Sequence, residues 1–86
     1  MYYVYILGSE KDRGLYIGYT TNLKRRFKQH NSGQSLSTKD RIPLILLAYE
    51  AFNNAKDAKA REKYLKSGSG RDQLKSKLKV TLKTFL

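Results

Sequence analysis

Two short runs of aromatic and β-branched residues, Tyr2–Leu7 and Leu15–Tyr19, open the chain with only Gly8–Gly14 between them. Residues of this kind suit a pleated, half-buried surface. The connection, which includes the polar Glu10-Lys11-Asp12-Arg13-Gly14, is too short for the crossover that parallel strands require. The two runs therefore predict an antiparallel hairpin, and the rest of the chain must cover its faces.

The next segment supplies a helix. Thr21 or Asn22 suits a helix cap, and Leu23 and Phe27, four apart, give an apolar stripe. Asn31-Ser32-Gly33 is a stop signal, with Gly fitted to a left-handed position. Gln34–Arg41 is polar and reads as a mobile loop. Ile42–Phe52 is apolar, and a third strand is expected over roughly Leu44–Glu50, with Pro43 tolerable at its start. Asn53 or Asn54 can cap a second helix, in which Ala55, Ala58, Glu62 and Leu65 fall at helical spacing. Ser67-Gly68-Ser69-Gly70 reads as a helix–helix turn, and Ser69 with Asp72 resembles a capping box for a third helix striped by Leu74 and Leu78. Val80–Leu86 is rich in β-formers and reads as a short strand or a frayed tail. The expected fold is α+β: a small, mainly antiparallel three-stranded sheet flanked by helices in the order β-β-α-β-α-α, forming a single domain over residues 1–86.

Charge narrows the partners. Eighteen Lys/Arg face seven Asp/Glu, a formal charge of +11, which favours a polyanion such as nucleic acid or an anionic membrane surface. The longest apolar runs, Val4–Leu7 and Ile42–Ala48, fall far short of a membrane span. Met1-Tyr2-Tyr3-Val4-Tyr5 lacks a basic segment before an apolar one, so no signal peptide is expected and a cytoplasmic location is. The absence of cysteine excludes disulfides and thiol nucleophiles.

Candidate chemistry rests on few residues. Seven tyrosines, against three Phe and no Trp, is an unusual bias. A tyrosine at its ordinary pKa of ~10 is a poor base unless cations lie beside it. Arg26 and His30 are i and i+4 on the first helix and share a face. They read either as a solvated basic face or as a phosphate clamp with a proton carrier. Glu62 reads either as a surface ion pair between Arg61 and Lys63 or as a lone oxygen ligand for a divalent ion. Gly18 within a strand marks a bulge or the close approach of another group.

Tyr3-Val4-Tyr5, ten residues, then Tyr16-Ile17-Gly18 resembles the paired strands of the GIY-YIG nuclease family. Arg26 and His30 in Asn22–Asn31 resemble its next element, and Glu62 in Arg61–Lys66 its acidic helix. The resemblance spans about Tyr2 to Lys79. It is closest to small stand-alone members similar to the N-terminal domain of the GIY-YIG component of excinuclease ABC. The first motif departs in lacking Gly, Tyr19 stands where some relatives carry Lys, and no counterpart of a C-terminal Asn is identified.

The resemblance implies a metal-dependent endonuclease that hydrolyses DNA phosphodiester bonds in repair or recombination, structure- rather than sequence-specific. Tyr5, Tyr16, Arg26, His30 and Glu62 would be its catalytic set, with Tyr16 activating water and Arg26 stabilising charge on the phosphate. Glu62 would hold one Mg²⁺ or Mn²⁺. Lys24, Arg25, Lys28, Lys39, Arg41 and Arg71 would hold the DNA backbone, and a protein partner or a dimer would supply specificity. Two rivals stand beside this reading: a non-catalytic nucleic-acid-binding domain of the same fold, and an electrostatic assembly module.

Overall fold

The computed structural model describes residues 1–86. Its elements are β1 (Tyr2–Ser9), β2 (Leu15–Thr20), α1 (Leu23–Asn31), β3 (Leu44–Phe52), α2 (Ala55–Leu65), α3 (Gly68–Lys77) and α4 (Lys79–Phe85). The sheet order is β2-β1-β3 with both pairings antiparallel, so the hairpin is present and β1 is central. β1 is nearly all buried because it packs on both faces.

Alternation along β1 divides the molecule into two layers. Val4 and Ile6, with Ile17 of β2, face α2, α3 and α4 and meet Ala58, Leu65, Leu74, Leu78 and Leu82 in the larger core. Tyr5 and Leu7 face the other way, where Leu44, Leu23, Phe27 and Leu46 close a smaller core beneath α1. A bulge between Ile6 and Leu7 pairs Leu7 with Leu46 while Ile6 pairs with Ala48. The extra residue, Leu47, joins the larger core, while Leu46 faces α1.

The helix starts are chemically defined. Asn22 accepts from the Arg25 N–H at 3.1 Å and Asn54 from the Lys56 N–H at 2.9 Å, each satisfying a donor with no intrahelical partner. At α3 the expected capping box is replaced: Ser67, not Ser69, is the cap, and accepts from the Gly70 N–H at 3.1 Å. Gly70 sits against the Tyr64 carbonyl, where a Cβ would collide with backbone, so the α2–α3 turn closes tightly only with glycine there.

α3 also begins at Gly68, within the Ser67–Gly70 stretch expected to be a turn. Two further expectations are corrected. Val80–Leu86 is neither strand nor tail: nearly all of it lies in α4, with Leu82 and Phe85 buried. Leu78, Leu82 and Phe85 fall at helical spacing, and their burial outweighs the β-preference of Val80, Thr81 and Thr84. Phe85 lies where a side chain on Gly8 would stand, so α4 closes over β1. The second correction concerns Gln34–Arg41. It is held by turns, with Lys39 N–H to the Ser35 carbonyl at 2.9 Å and Arg41 N–H to the Thr38 carbonyl at 2.9 Å, and Ser35 and Thr38 are buried.

Candidate functional site

The hairpin and α1 build the site together. Tyr5 lies opposite Gly18 in the β1–β2 register. A Cβ at Gly18 would occupy the Tyr5 ring, so the glycine after Tyr16-Ile17 is there to admit that phenol. Tyr16, two residues earlier on the same face, brings its ring to 6.4 Å from that of Tyr5. His30, at the end of α1, lies 5.6 Å from the Tyr5 ring and 5.2 Å from the Tyr16 ring, edge-on to both.

His30 is not on a solvated face. It is fully buried, with Nε2 2.8 Å from the Tyr5 hydroxyl and Nδ1 2.6 Å from the Thr38 hydroxyl. Burial, aided by the charge of Arg26, pushes its pKa down to about 4. It is therefore neutral at physiological pH, and its two ring nitrogens, one donor and one acceptor, are both satisfied. Tyr5 is also buried. Burial pushes its pKa up, Arg26 pulls it down, and the charges of Tyr16 and Glu62 push it up again. A phenol so placed, and fixed to a neutral imidazole, orients its neighbours better than it accepts a proton.

Tyr16 is the accessible phenol. It is half-buried, and its oxygen accepts from the Ser37 hydroxyl at 3.2 Å. Ser37 bonds Ser35 at 3.1 Å, and Ser35 accepts from Arg26 Nη2 at 3.2 Å. Arg26 Nη1 reaches Gln29 Oε1 at 3.4 Å. All of these partners are neutral, and Arg26 joins none of the four ion pairs in the molecule. A guanidinium held by neutral groups beside an open phenol keeps its charge for an external anion.

Glu62 is half-buried on α2, close enough to Tyr5 for its charge to act on that phenol. It is ion-paired, though not with its sequence neighbours: Lys66, one turn on, donates to Oε2 at 2.9 Å. Arg61 instead grips Glu50 of β3 at 2.8 and 3.1 Å, with Lys77 on the same carboxylate at 2.7 Å. No group of three or more His, Asp or Glu side chains is gathered anywhere in the chain. A Mg²⁺ or Mn²⁺ here would have one protein carboxylate. That suits an ion which keeps several waters and takes its other ligands from phosphate, and Glu62 Oε1 has no hydrogen-bond partner.

The expected backbone contacts divide. Lys24, Arg25 and Lys28 lie on α1, and Lys39 on the segment after it. Arg71 is exposed on α3, in the layer across the sheet. Arg41 is not free: Nε donates to Asp12 at 2.6 Å and Nη2 at 3.2 Å, holding that carboxyl down at about 2 and tying the hairpin turn to the 34–41 segment. Two further residues carry no local sign of their roles in the sequence. Asn31 clamps Leu44 of β3, donating to its carbonyl at 2.8 Å and accepting from its N–H at 2.7 Å, and so fixes the end of α1 that carries His30. Thr38 fixes the imidazole.

A family model described as the GIY-YIG catalytic domain matches residues 1–76. The chain belongs to the GIY-YIG family. It is similar to UPF0213 proteins: 43% identical over 77 residues to one from Pediococcus acidilactici, covering 86% of this chain and 78% of that protein. A UPF0213 protein of Clostridium perfringens is 46% identical over 67 residues, covering 77% of this chain and 71% of the relative. The solution NMR structure of a UPF0213 protein from Bacillus halodurans aligns with a TM-score of 0.56 at 40% identity, over 88% of this chain and 84% of that one. The matched residues run from β1 into α3 and so include Tyr5 and Tyr16, the pair that meets His30.

Proposed function

We propose that this GIY-YIG domain binds nucleic acid through its backbone and seats one phosphate between Arg26 and Tyr16. The observation that carries this is Arg26 itself, a cation with only neutral partners beside the one accessible phenol of the cluster. Around it α1 offers Lys24, Arg25 and Lys28, and the whole chain carries +11. Contacts of this type position the backbone and carry little sequence information.

Fluorescence anisotropy with labelled single-stranded and duplex DNA tests it. Binding should weaken steeply with salt, as counterion release requires, and Arg26→Ala should weaken it further without unfolding the protein. Salt-independent binding, or none at low salt, rejects the proposal.

A second reading, hydrolysis of the seated phosphodiester, is favoured by Glu62, a half-buried carboxylate whose Oε1 has no hydrogen-bond partner. A Mg²⁺ or Mn²⁺ held by Glu62 would supply Lewis-acid polarisation of a phosphoryl oxygen. The chain's own residues would do the rest. Arg26 would stabilise charge growing on the phosphate as water attacks and the P–O bond to the leaving oxygen breaks. Tyr16 would relay the attacking water's proton through its phenol oxygen, the departing alkoxide would take one from solvent, and the buried Tyr5–His30–Thr38 chain would hold Tyr16 in place. Cleavage of a DNA panel with divalent ion but not with chelator, lost in Glu62→Gln with binding retained, supports hydrolysis. Uncut substrates across the panel leave the domain a binder.

A further inference from the structure

On the flank of α1 away from Arg26 lies an open groove of about 530 Å³ floored by Tyr3, Tyr49, Leu23, Phe27 and Leu46, with Lys24 at its rim. A second groove continues from it along α1, sharing Lys24 and Phe27 and adding Lys28. Lys24 and Lys28 are one helical turn apart, and neither has an acidic partner. No Asp or Glu lines either groove.

The floor is unusual for a basic surface. Tyr49 is 54% exposed on the edge strand β3. Its ring meets that of Tyr3 edge-on at 6.0 Å, a geometry that leaves ring surface open. Neither phenol oxygen has a hydrogen-bond partner within the protein, so nothing in the chain engages these tips. The groove is also in register with the site. Tyr49 lies directly across from Tyr5, and Tyr3 is two residues from Tyr5 on the same face, a separation of about 7 Å along the strand.

Flat aromatic surface, cations along one side and no acids select a ligand that is both planar and polyanionic. A second copy of the chain fits poorly, since a two-fold interface here would bring Lys24 and Lys28 close to their own equivalents. A duplex fits poorly too, since its bases are stacked on each other and offer no free face to Tyr49. We propose that Tyr3 and Tyr49 form a stacking subsite for one unpaired base of single-stranded DNA, with Lys24 and Lys28 on the adjoining phosphates. The subsite rests on the nucleic-acid reading of this domain: Lys24 and Lys28 point about 160° from Arg26 around α1, so it would hold a stretch of the bound strand beyond the phosphate seat rather than the adjoining nucleotide. The domain then distinguishes unpaired from paired DNA by access to a ring face, without reading sequence.

Anisotropy with a short labelled oligothymidylate, an abasic oligomer of equal length and a duplex tests this directly. The oligothymidylate should bind tightest. Tyr49→Ala should weaken it by about 5- to 150-fold and leave the abasic oligomer unchanged, whereas Tyr49→Phe should bind like wild type. Tyr49 is exposed, so these variants should unfold at the wild-type midpoint. Lys24→Ala should weaken both oligomers and lower the single-strand salt slope by about 0.7.

The subsite is overturned if Tyr49→Ala binds the oligothymidylate like wild type, or if wild type holds the abasic oligomer equally well. If that happens while Arg26→Ala still weakens both, the phosphate seat survives and only the subsite fails. If no oligomer binds, both fail. Concentration-dependent dimerisation abolished by Tyr49→Ala, without an effect on DNA, assigns the groove to a second copy and overturns the proposal.

Discussion

On one face of the sheet, eight buried apolar residues from β1, β2, α2, α3, α4 and the α3–α4 junction pack together. On the other, the core is only Leu7, Leu44 and the ring of Tyr5, and Tyr5, His30 and Thr38 bury polar side-chain atoms that bond one another. The two layers share β1 and differ in what holds them. The larger core is non-directional and rests on area removed from water. The α1 layer rests on geometry: a glycine that admits a ring, an imidazole caught between two hydroxyls and an asparagine clamp on β3. Stability is concentrated in the first and side-chain placement in the second, so damage to each should look different.

The largest effect should come from Leu65→Ala, which empties a fully buried position in the larger core. It should cost about 2–5 kcal/mol in urea unfolding, and whatever remains folded should keep its DNA affinity. Gly18→Ala should cost about 1–3 kcal/mol because its methyl meets the Tyr5 ring. Unlike the leucine change, it should also disturb binding, since the tyrosine pair moves. Equal effects of the two on binding at matched folded fraction would erase the contrast between the layers.

Acid should act on the α1 layer first. His30 is neutral in the folded protein down to about pH 4 but takes a proton near its ordinary value of 6.5 when unfolded. The unfolded state binds more protons in that window, so stability is full above pH 6.5 and falls as the pH drops toward 4. Down to pH 4.5 the loss should be about 2.5 kcal/mol, and His30→Gln should flatten it. The carboxyls of Glu50 and Asp12, held below their ordinary values of 4.5 and 3.8 by Arg61 and Arg41, lose their contribution only at lower pH. The smallest effect should be Asp12→Ala, which removes a part-exposed ion pair worth about 0.2–1 kcal/mol. It is measured as the shift in urea midpoint.

The larger layer was mostly legible in the sequence because its signals are local: alternation in β1 and β2, stripes at three and four residues in α2 and α3, and a cap at Asn54. Its largest failure, α4, arose where β-branched residues on the exposed side masked the stripe Leu78–Leu82–Phe85, and a smaller one was the α3 cap, which is Ser67 and not Ser69. The α1 layer was legible as a set of residues but not as an arrangement. His30 could be read as solvated or as part of a clamp, because its partners stand 25 and 8 residues away. Arg41 looked free because Asp12 is 29 residues away. Glu62 has its partner at i+4, which helix geometry favours over the adjacent Arg61 and Lys63. Contacts between distant positions leave no periodic trace, and the candidate site is made almost wholly of them.

The phosphate seat requires Arg26 to be the cation aimed at a bound phosphate while its neighbour Arg25 is one of many on the surface. Helix geometry separates their directions by about 100°. Single-strand DNA affinity at fixed salt for Arg26→Ala beside Arg25→Ala, two variants with the same change in net charge, tells the two apart. Loss of a charge-assisted contact predicts at least about tenfold weaker binding for Arg26→Ala and a much smaller change for Arg25→Ala. Equal losses in the two variants would contradict the assignment, leaving a basic surface with no phosphate seat.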